Sequence, residues 1–377
     1  MEYRTEYSNI PQSIESKLGI ELHNQKNHPI EIIKTHIYKF FDSLEYNFKK
    51  FDNLSPFVSV EDNFDKLLIP KTHPSRNKSD TYYVNEDLIL RSQTSAHQNE
   101  LLKKNSAFLV SGDVYRKDEI DKYHYPIFHQ MEIVWKAKSN DCQKELIDVL
   151  SKLVEYLFPK CEYRVNKDYF PFTEPSFEIE VMYNNEWLEI LGCGIMHKQI
   201  LENNGIDSNK IKYAAAGLGL DRLAMKLFEI PDIRLLWSTH EKFINQFKDG
   251  KIIKFRPFTK LPSQSRDISF WIPSKKIIST FDELKHPIQK WVDENDFFEL
   301  IRDHCSKIDK KYTDWVENVT LKDEFFHKKS QKHSRMYRLL YSPNDPSLKN
   351  PSKFKDIINI IFNNLRKELV NLDIELR

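Results

Sequence analysis

The chain predicts an α+β fold: an antiparallel β-sheet flanked by helices, followed by a smaller domain with the order β-α-β-β-α-β. Three observations carry the prediction. Residues 108–116 and 127–135 read as strands separated by a charged polar loop at 117–126, which makes an antiparallel pair. Leu220, Leu223, Ala224, Leu227 and Phe228 recur at helical spacing, giving a helix with one buried face. Beyond residue 260, strand-like and helix-like runs alternate in the split-βαβ order of a ferredoxin-like domain.

The elements follow in chain order. Residues 1–25 are polar and carry little structural weight, as an N-terminal extension. A helix begins at His28-Pro29, because proline suits the first helical position. Ile30, Ile33, Ile37, Phe40 and Phe41 then keep near-helical spacing. Turn chemistry alternates with short strand-like runs over 52–95, and an amphipathic helix covers 141–158. Runs 176–183 and 186–192 flank Asn184-Asn185 as a hairpin. A last short strand, 212–216, leads to Gly217 and Gly219, which are expected to turn the chain into the next helix. The larger domain is placed at 26–246. Periodicity breaks around 243–261, where Pro257 and Pro262 punctuate the chain, so the linker is set at 247–260 and the second domain at 261–377. Within that domain the expected strands are 267–272, 312–321, 334–341 and 372–376, and the expected helices are 281–304 and 351–370.

Composition excludes several classes. With 40% hydrophobic, 30% charged and 13% aromatic residues, the chain is that of a globular protein. No apolar run approaches the roughly 20 residues of a membrane span, so no membrane is expected among its partners. Residues 1–7 show neither an apolar signal core nor the acid-poor bias of a transit peptide, so no targeting segment is visible. The four cysteines form no C-x-x-C pair and no compact cluster with histidine, so no structural metal is expected and a reducing compartment is. The net charge of +1 hides an asymmetry: residues 246–377 hold 26 Lys+Arg against 19 Asp+Glu, and the remainder 31 against 37. A basic C-terminal part suits contact with a polyanion, although a lysine-rich solvated surface gives the same count.

Glycine is scarce, with eight in 377 residues, and two of them, Gly217 and Gly219, stand just before Arg222. Glycine permits close backbone approach and arginine clamps phosphate bidentately, which points to a nucleotide site. Neither phosphate-loop pattern, G-x-x-x-x-G-K-[ST] or G-x-G-x-x-G, is present. In 127–135, alternation puts Phe128, Gln130, Glu132 and Val134 on one face and Ile127, His129, Met131 and Ile133 on the other. The first face is a solvated edge or a floor for a polar ligand, with Phe128 stacking on a base and Gln130 and Glu132 holding a cationic amine. Arg116 ends the strand beside it. Arg116 and Arg222 together would neutralise a triphosphate, or each would form an ordinary salt bridge. Phe170 and Phe172 lie on one side of an extended chain, as core or as a wall for an apolar substrate. Gly192 and Gly194 would leave a pocket floor without side-chain bulk. Glu189 would ligate Mg²⁺ through a nucleotide or pair with a lysine.

These residues together resemble the class II aminoacyl-tRNA synthetases. Asp113-Val-Tyr-Arg116, the loop and Phe128-His-Gln-Met-Glu132 resemble their motif 2, Gly217-Leu-Gly-Leu-Asp-Arg222 matches G-x-G-x-x-R of motif 3, and the helix from His28-Pro29 is similar to motif 1. Phe170-Pro-Phe-Thr-Glu-Pro-Ser176, Trp187-Leu-Glu-Ile-Leu-Gly-Cys-Gly194 and Ile230-Pro-Asp-Ile-Arg234 resemble the phenylalanyl-tRNA synthetases. The stretches 63–70, 73–76 and 94–98, with the fused C-terminal domain, resemble the single-chain mitochondrial form. The resemblance covers residues 18–377 and implies a class II sheet followed by an anticodon-binding domain.

It also implies roles. ATP with Mg²⁺ would meet Arg116 at the α-phosphate, Arg222 on the γ-phosphate side, Phe128 under adenine, the backbone of Gly217 and Gly219, and Glu189. Phenylalanine would be held by Ser95, Gln130 and Glu132 at its amine and carboxylate, and by Phe170 and Phe172 edge-to-face at its ring. Ala215 matches the small residue facing the para position. Gln93 stands where the family has histidine and Ala216 where it has phenylalanine, which puts the amine contacts and the pocket wall in question. Lys328, Lys329, Lys332 and Arg335 would contact tRNA phosphates. The implied activity is ATP-dependent activation of L-phenylalanine and transfer to the 2′-OH of the terminal adenosine of tRNA(Phe), by a monomer in the mitochondrial matrix or another organelle. A non-catalytic RNA-binding relative and a class II ligase for a different acid are the alternative readings.

Overall fold

The computed structural model describes residues 6–257, 261–281, 287–343 and 348–377. Among the described residues nine strands precede residue 220: β1 (Lys49–Phe51), β2 (Phe57–Ser59), β3 (Leu88–Leu90), β4 (Ala107–Tyr115), β5 (Ile127–Lys136), β6 (Tyr163–Asp168), β7 (Thr173–Tyr183), β8 (Glu186–Met196) and β9 (Tyr213–Gly219). β2 and β3 pair separately; the other seven form one sheet in the order β1-β4-β5-β9-β8-β7-β6. It is antiparallel except where β1 lies parallel to β4. β1 and β6 were not expected from the sequence. β1 is three residues long, and β6 is a half-exposed edge strand without clean alternation.

One face of this sheet is covered by helices Pro29–Asp42, Cys142–Leu157 and Leu220–Leu227, whose apolar stripes meet the inward residues of β5, β8 and β9. The first helix starts where proline predicts, and the His28 ring nitrogen caps it by accepting from the Ile30 N–H at 3.2 Å. Each large apolar side chain buried in this layer contributes about 1.5–3 kcal/mol. The β7–β8 hairpin turns through Asn184 and Asn185 with φ of 53° and 64°, the two left-handed residues that a tight primed turn requires.

Gly217 and Gly219 do not turn the chain. β9 runs through both, paired with β5 and β8, and Gly219 has an extended φ of −85°. Of the expected N-terminal extension, residues 6–25 are more than an appendage: Ile10, Ile14 and Leu22 are buried in the main core, while residues 1–5 lie outside the described part. Within the 247–260 stretch, Phe247 and Phe255 are buried with Phe228 and Phe243, and the Phe255 N–H donates to the Phe228 carbonyl. Residues 258–260 lie outside the described part.

Beyond residue 260 come β10 (Gln264–Pro273), β11 (Ile277–Phe281), β12 (Pro287–Trp291), β13 (Val316–His327), β14 (Lys332–Tyr341) and β15 (Glu375–Leu376), with helices Glu294–Ile308 and Pro351–Glu368. The antiparallel order β13-β14-β10-β15 with both helices on one face is the ferredoxin-like arrangement. The helix expected at 281–304 is corrected where it is described: β11 and β12 pair as a ribbon, Pro287 begins a strand, and the helix starts at Glu294, while residues 282–286 lie outside the described part. The loop 117–126 is held by this second domain. Ile120 is buried in its core, Lys117 pairs with Asp296 at 2.7 Å, and Tyr125 donates to Asp314 at 2.6 Å. Among the described residues no helix is long and apolar enough to cross a membrane.

Candidate active site

The site is built on β5. Alternation buries Ile127, His129, Met131 and Ile133 fully against the helices and turns Phe128, Gln130 and Glu132 to the other side. Glu132 is nevertheless only 3% exposed. Its carboxylate accepts the Ser95 hydroxyl at 2.6 Å and the Gln98 side-chain amide. Ser95 and Gln98 sit three residues apart on consecutive helical turns, Thr94–His97 and Gln98–Leu102, so both reach one carboxylate. Burial outweighs these two hydrogen bonds and pushes the Glu132 carboxyl up to about 7. Among the described residues no cation pairs with it. A buried carboxylate with no counter-charge is stabilised by an incoming ammonium group. Gln98 is the contact that sequence reasoning missed; its spacing from Ser95 was the available signal.

Arg116 follows the end of β4. Its Nε donates to the Ser92 carbonyl at 2.7 Å, and its guanidinium lies 5.2 Å from the centre of the Phe128 ring. Gly217 and Gly219 are the cross-strand partners of Glu132 and Gln130. A Cβ on Gly219 would meet nothing within 4 Å and one on Gly217 would sit 3.7 Å from Glu132 Oε2, so the missing side chains leave the floor bare. Arg222 is half exposed, with Nη1 3.8 Å from the Glu189 carboxylate on β8.

Phe170 and Phe172 stack with ring centres 5.9 Å apart and planes 16° from parallel. Only glycine at 192 permits this, because a Cβ there would lie 2.7 Å from the Phe170 ring. Ala215, 3% exposed, is flanked by Val134 on β5 and Gly194 on β8. Ala216 borders the cleft, but its side chain packs into the helix-side core with Cys193 and Leu218. The departure at 216 therefore acts on the back of the sheet, not on the pocket wall. Gln93 lines the cleft while its amide donates to the Asn63 carbonyl at 3.2 Å.

The structure thus gathers Gln93, Ser95, Arg116, Gln130, Glu132, Phe170, Phe172, Glu189, Ala215 and Gly217 around one cleft of about 490 Å³. Phe128, Gly219 and Arg222 stand beside it, next to Arg116, Gln130 and Glu189 respectively. One end is acidic and uncompensated, one wall is aromatic, and one edge carries guanidinium groups. Such a cleft suits an amino acid with a flat apolar side chain next to a phosphorylated ligand.

Comparison with known proteins agrees with that chemistry. The family described as "tRNA synthetases class II core domain (F)" matches residues 13–247. The chain is 42% identical to the chloroplastic/mitochondrial phenylalanine–tRNA ligase of Arabidopsis thaliana, over 98% of this chain and 83% of that protein. It is 38% identical to the mitochondrial enzyme of Dictyostelium discoideum, over 99% and 90%. The chain belongs to the phenylalanine–tRNA ligase family of class II tRNA synthetases. The mitochondrial relative from Saccharomyces cerevisiae is 36% identical over 93% of this chain and 89% of its own length.

In this phenylalanine–tRNA ligase fold the two signature segments are joined from below. The His129 N–H and ring Nδ1 meet the Asp221 carboxylate at 2.5 and 3.2 Å, tying the strand of Gln130 and Glu132 to the helix of Arg222. The basic run in the second domain divides. Lys328 and Lys329 are exposed in the turn between β13 and β14. Lys332 pairs with Glu375. Arg335 is not a surface contact: it is 2% exposed, paired with Glu324 at 2.9 Å and Glu294 at 3.1 Å, and donates to the Gln289 carbonyl. Alternation along β14 turns it inward, where it is consumed by the fold.

Proposed function

We propose that this protein activates L-phenylalanine with ATP and transfers it to the 2′-OH of the terminal adenosine of tRNA(Phe), acting as a monomer in an organelle. The observation that carries the reading is the buried Glu132 carboxylate, which meets no cation among the described residues, in the same cleft as the Phe170/Phe172 wall and Arg116. Glu132, with Ser95 and Gln130 beside it, receives the ammonium group. The wall and the small Ala215 accept the ring. That leaves the substrate carboxylate to meet a phosphate held by Arg116.

One carboxylate oxygen attacks the α-phosphorus, and the electron pair of the broken P–O bond leaves with pyrophosphate. Arg116 neutralises charge building at the α-phosphate, Arg222 the charge toward the γ-phosphate, and Phe128 carries adenine. Orientation and preorganised charge lower the barrier without a protein nucleophile. Mg²⁺ takes hard oxygen donors, which Glu189 and nucleotide phosphates offer, and when bound it supplies positive charge to the leaving pyrophosphate. The terminal ribose hydroxyl then attacks the carbonyl carbon and AMP departs. Lys328 and Lys329, at the exposed hairpin tip, contact tRNA phosphates.

The test is charging of a tRNA(Phe) transcript with labelled phenylalanine. A Lys328→Ala/Lys329→Ala variant is expected to raise KM for tRNA and leave adenylate formation intact. Folded wild-type protein that charges no tRNA would overturn the reading.

A further inference from the structure

Three side chains from distant parts of the chain bring ligand-type atoms together beneath the sheet. His23 lies in the N-terminal segment, and Asp113 on β4 is the direct cross-strand partner of His129 on β5. All three are buried, and one ligand-type atom of each lies within 4.8 Å of the others.

Outer partners fix which atoms face inward. His23 Nε2 is 2.9 Å from the Asp52 carbonyl, which only accepts, so Nε2 carries the hydrogen and Nδ1 keeps a lone pair. That Nδ1 faces Asp113 Oδ1 at 3.3 Å without hydrogen-bond geometry. His129 Nδ1 is 3.2 Å from the Asp221 carboxylate and carries its hydrogen there, so Nε2 points away, with no hydrogen-bond partner among the described residues. The other Asp113 oxygen is taken by the Tyr115 hydroxyl at 2.9 Å. Acceptors facing one another repel unless a positive charge or a donor lies between them. Arg91, whose Nε donates to the Asp113 carbonyl at 2.7 Å, supplies part of that charge from outside the cluster, and either a second hydrogen on His129 or a bound cation supplies the rest.

We propose that His23 Nδ1, Asp113 Oδ1 and His129 Nε2 are the protein ligands of a divalent transition-metal ion, zinc foremost. Each ligand is held by one outer acceptor or donor: the Asp52 carbonyl, the Tyr115 hydroxyl and the Asp221 carboxylate. Histidine ligands in metal sites are oriented in this way. Two imidazoles and one carboxylate favour zinc and select against magnesium, so this ion is distinct from any that accompanies a nucleotide. It would staple the N-terminal segment to the strands that carry Arg116 and Glu132. Positions 23, 113 and 129 have no ligand-motif spacing, so the site exists only in the fold. A second group, Glu119, Asp121 and His124, is partly exposed and supplies the control.

The full-length protein, loaded with zinc and dialysed into metal-free buffer, is analysed by elemental mass spectrometry. About one zinc per chain is expected for wild type and for Glu119→Gln, and less than about a fifth for His23→Ala or Asp113→Asn. Co²⁺-loaded wild type is expected to show ligand-field absorption, which stands as a test even if the variants fail to fold. Folded wild type retaining almost no zinc and showing no Co²⁺ bands would overturn the proposal. So would metal kept equally by both ligand variants, or ¹⁵N spectra showing both His129 ring nitrogens protonated in zinc-supplied protein.

Discussion

The Ser95 hydroxyl donates to the Glu132 carboxylate at 2.6 Å across a cleft that offers this carboxylate no cation among the described residues. The pair is built from a helical turn and the central strand, both rigid, so the acceptor is held in place before substrate arrives. Preorganised charge of this kind is worth more than the same contact in water, because no solvent must be rearranged at binding.

Glu132→Gln is expected to raise KM for phenylalanine by about 10- to 150-fold, the loss of one charge-assisted hydrogen bond of roughly 1.5–3 kcal/mol, with KM for ATP little changed. Pyrophosphate exchange at varied phenylalanine and ATP gives both values. An equal rise in both would point to general damage.

The same carboxyl sets a pH dependence. Ammonium binding needs it ionised, so KM for phenylalanine should rise as pH falls below about 7, and this slope should vanish in Glu132→Gln. Stability of the unliganded protein moves the other way. The folded protein binds this proton more tightly than the unfolded chain, so stability falls as pH rises from the ordinary value of 4.5 to about 7. The cost is on the order of 3 kcal/mol, and thermal melts of wild type and Glu132→Gln across that window measure it.

Gly192→Ala should weaken phenylalanine binding through Phe170. The new Cβ would lie 2.7 Å from that ring, too close for it to stay in place. Titration of phenylalanine by calorimetry should show a loss of about 5- to 150-fold, on the order of 1–3 kcal/mol for overpacking.

Arg116→Ala and Arg222→Ala should each lower the rate of exchange, by about 10²–10³ where charge at the reacting phosphorus is no longer met. For Arg222 the stability should stay within about 0.5 kcal/mol, because its contact with Glu189 is long and half exposed. A melt unchanged with activity lost separates the chemical role from folding.

Ala215→Gly should increase activation of para-substituted phenylalanines and of tyrosine, since the residue is buried between Val134 and Gly194 on the cleft floor. A strand glycine costs about 0.5–1 kcal/mol, visible in the same melt.

What the sequence makes legible is what periodicity controls. Alternation along 127–135 separates the faces of β5 correctly, and the 3.6-residue spacing from Leu220 places the helix under Arg222. What it hides depends on tertiary partners. Arg335 looks like part of a basic surface run, yet its strand face meets Glu294 and Glu324. Gly217 and Gly219 look like a turn because glycine usually serves that purpose, whereas here the absent side chains clear a strand surface. Residues 287–291 carry apolar residues compatible with helix or strand, and pairing of β11 with β12 decides it. Gln98 shows in the sequence only as a residue one helical turn from Ser95; that both reach one carboxylate appears when Glu132 stands beside them.

Amino-acid-dependent exchange of labelled pyrophosphate into ATP, run with each of the standard amino acids, is the decisive measurement. Strong exchange with phenylalanine, weak exchange with tyrosine, and loss of both in Arg116→Ala are expected. Well-folded protein that gives no exchange with phenylalanine, or faster exchange with another amino acid, would contradict the proposed activity.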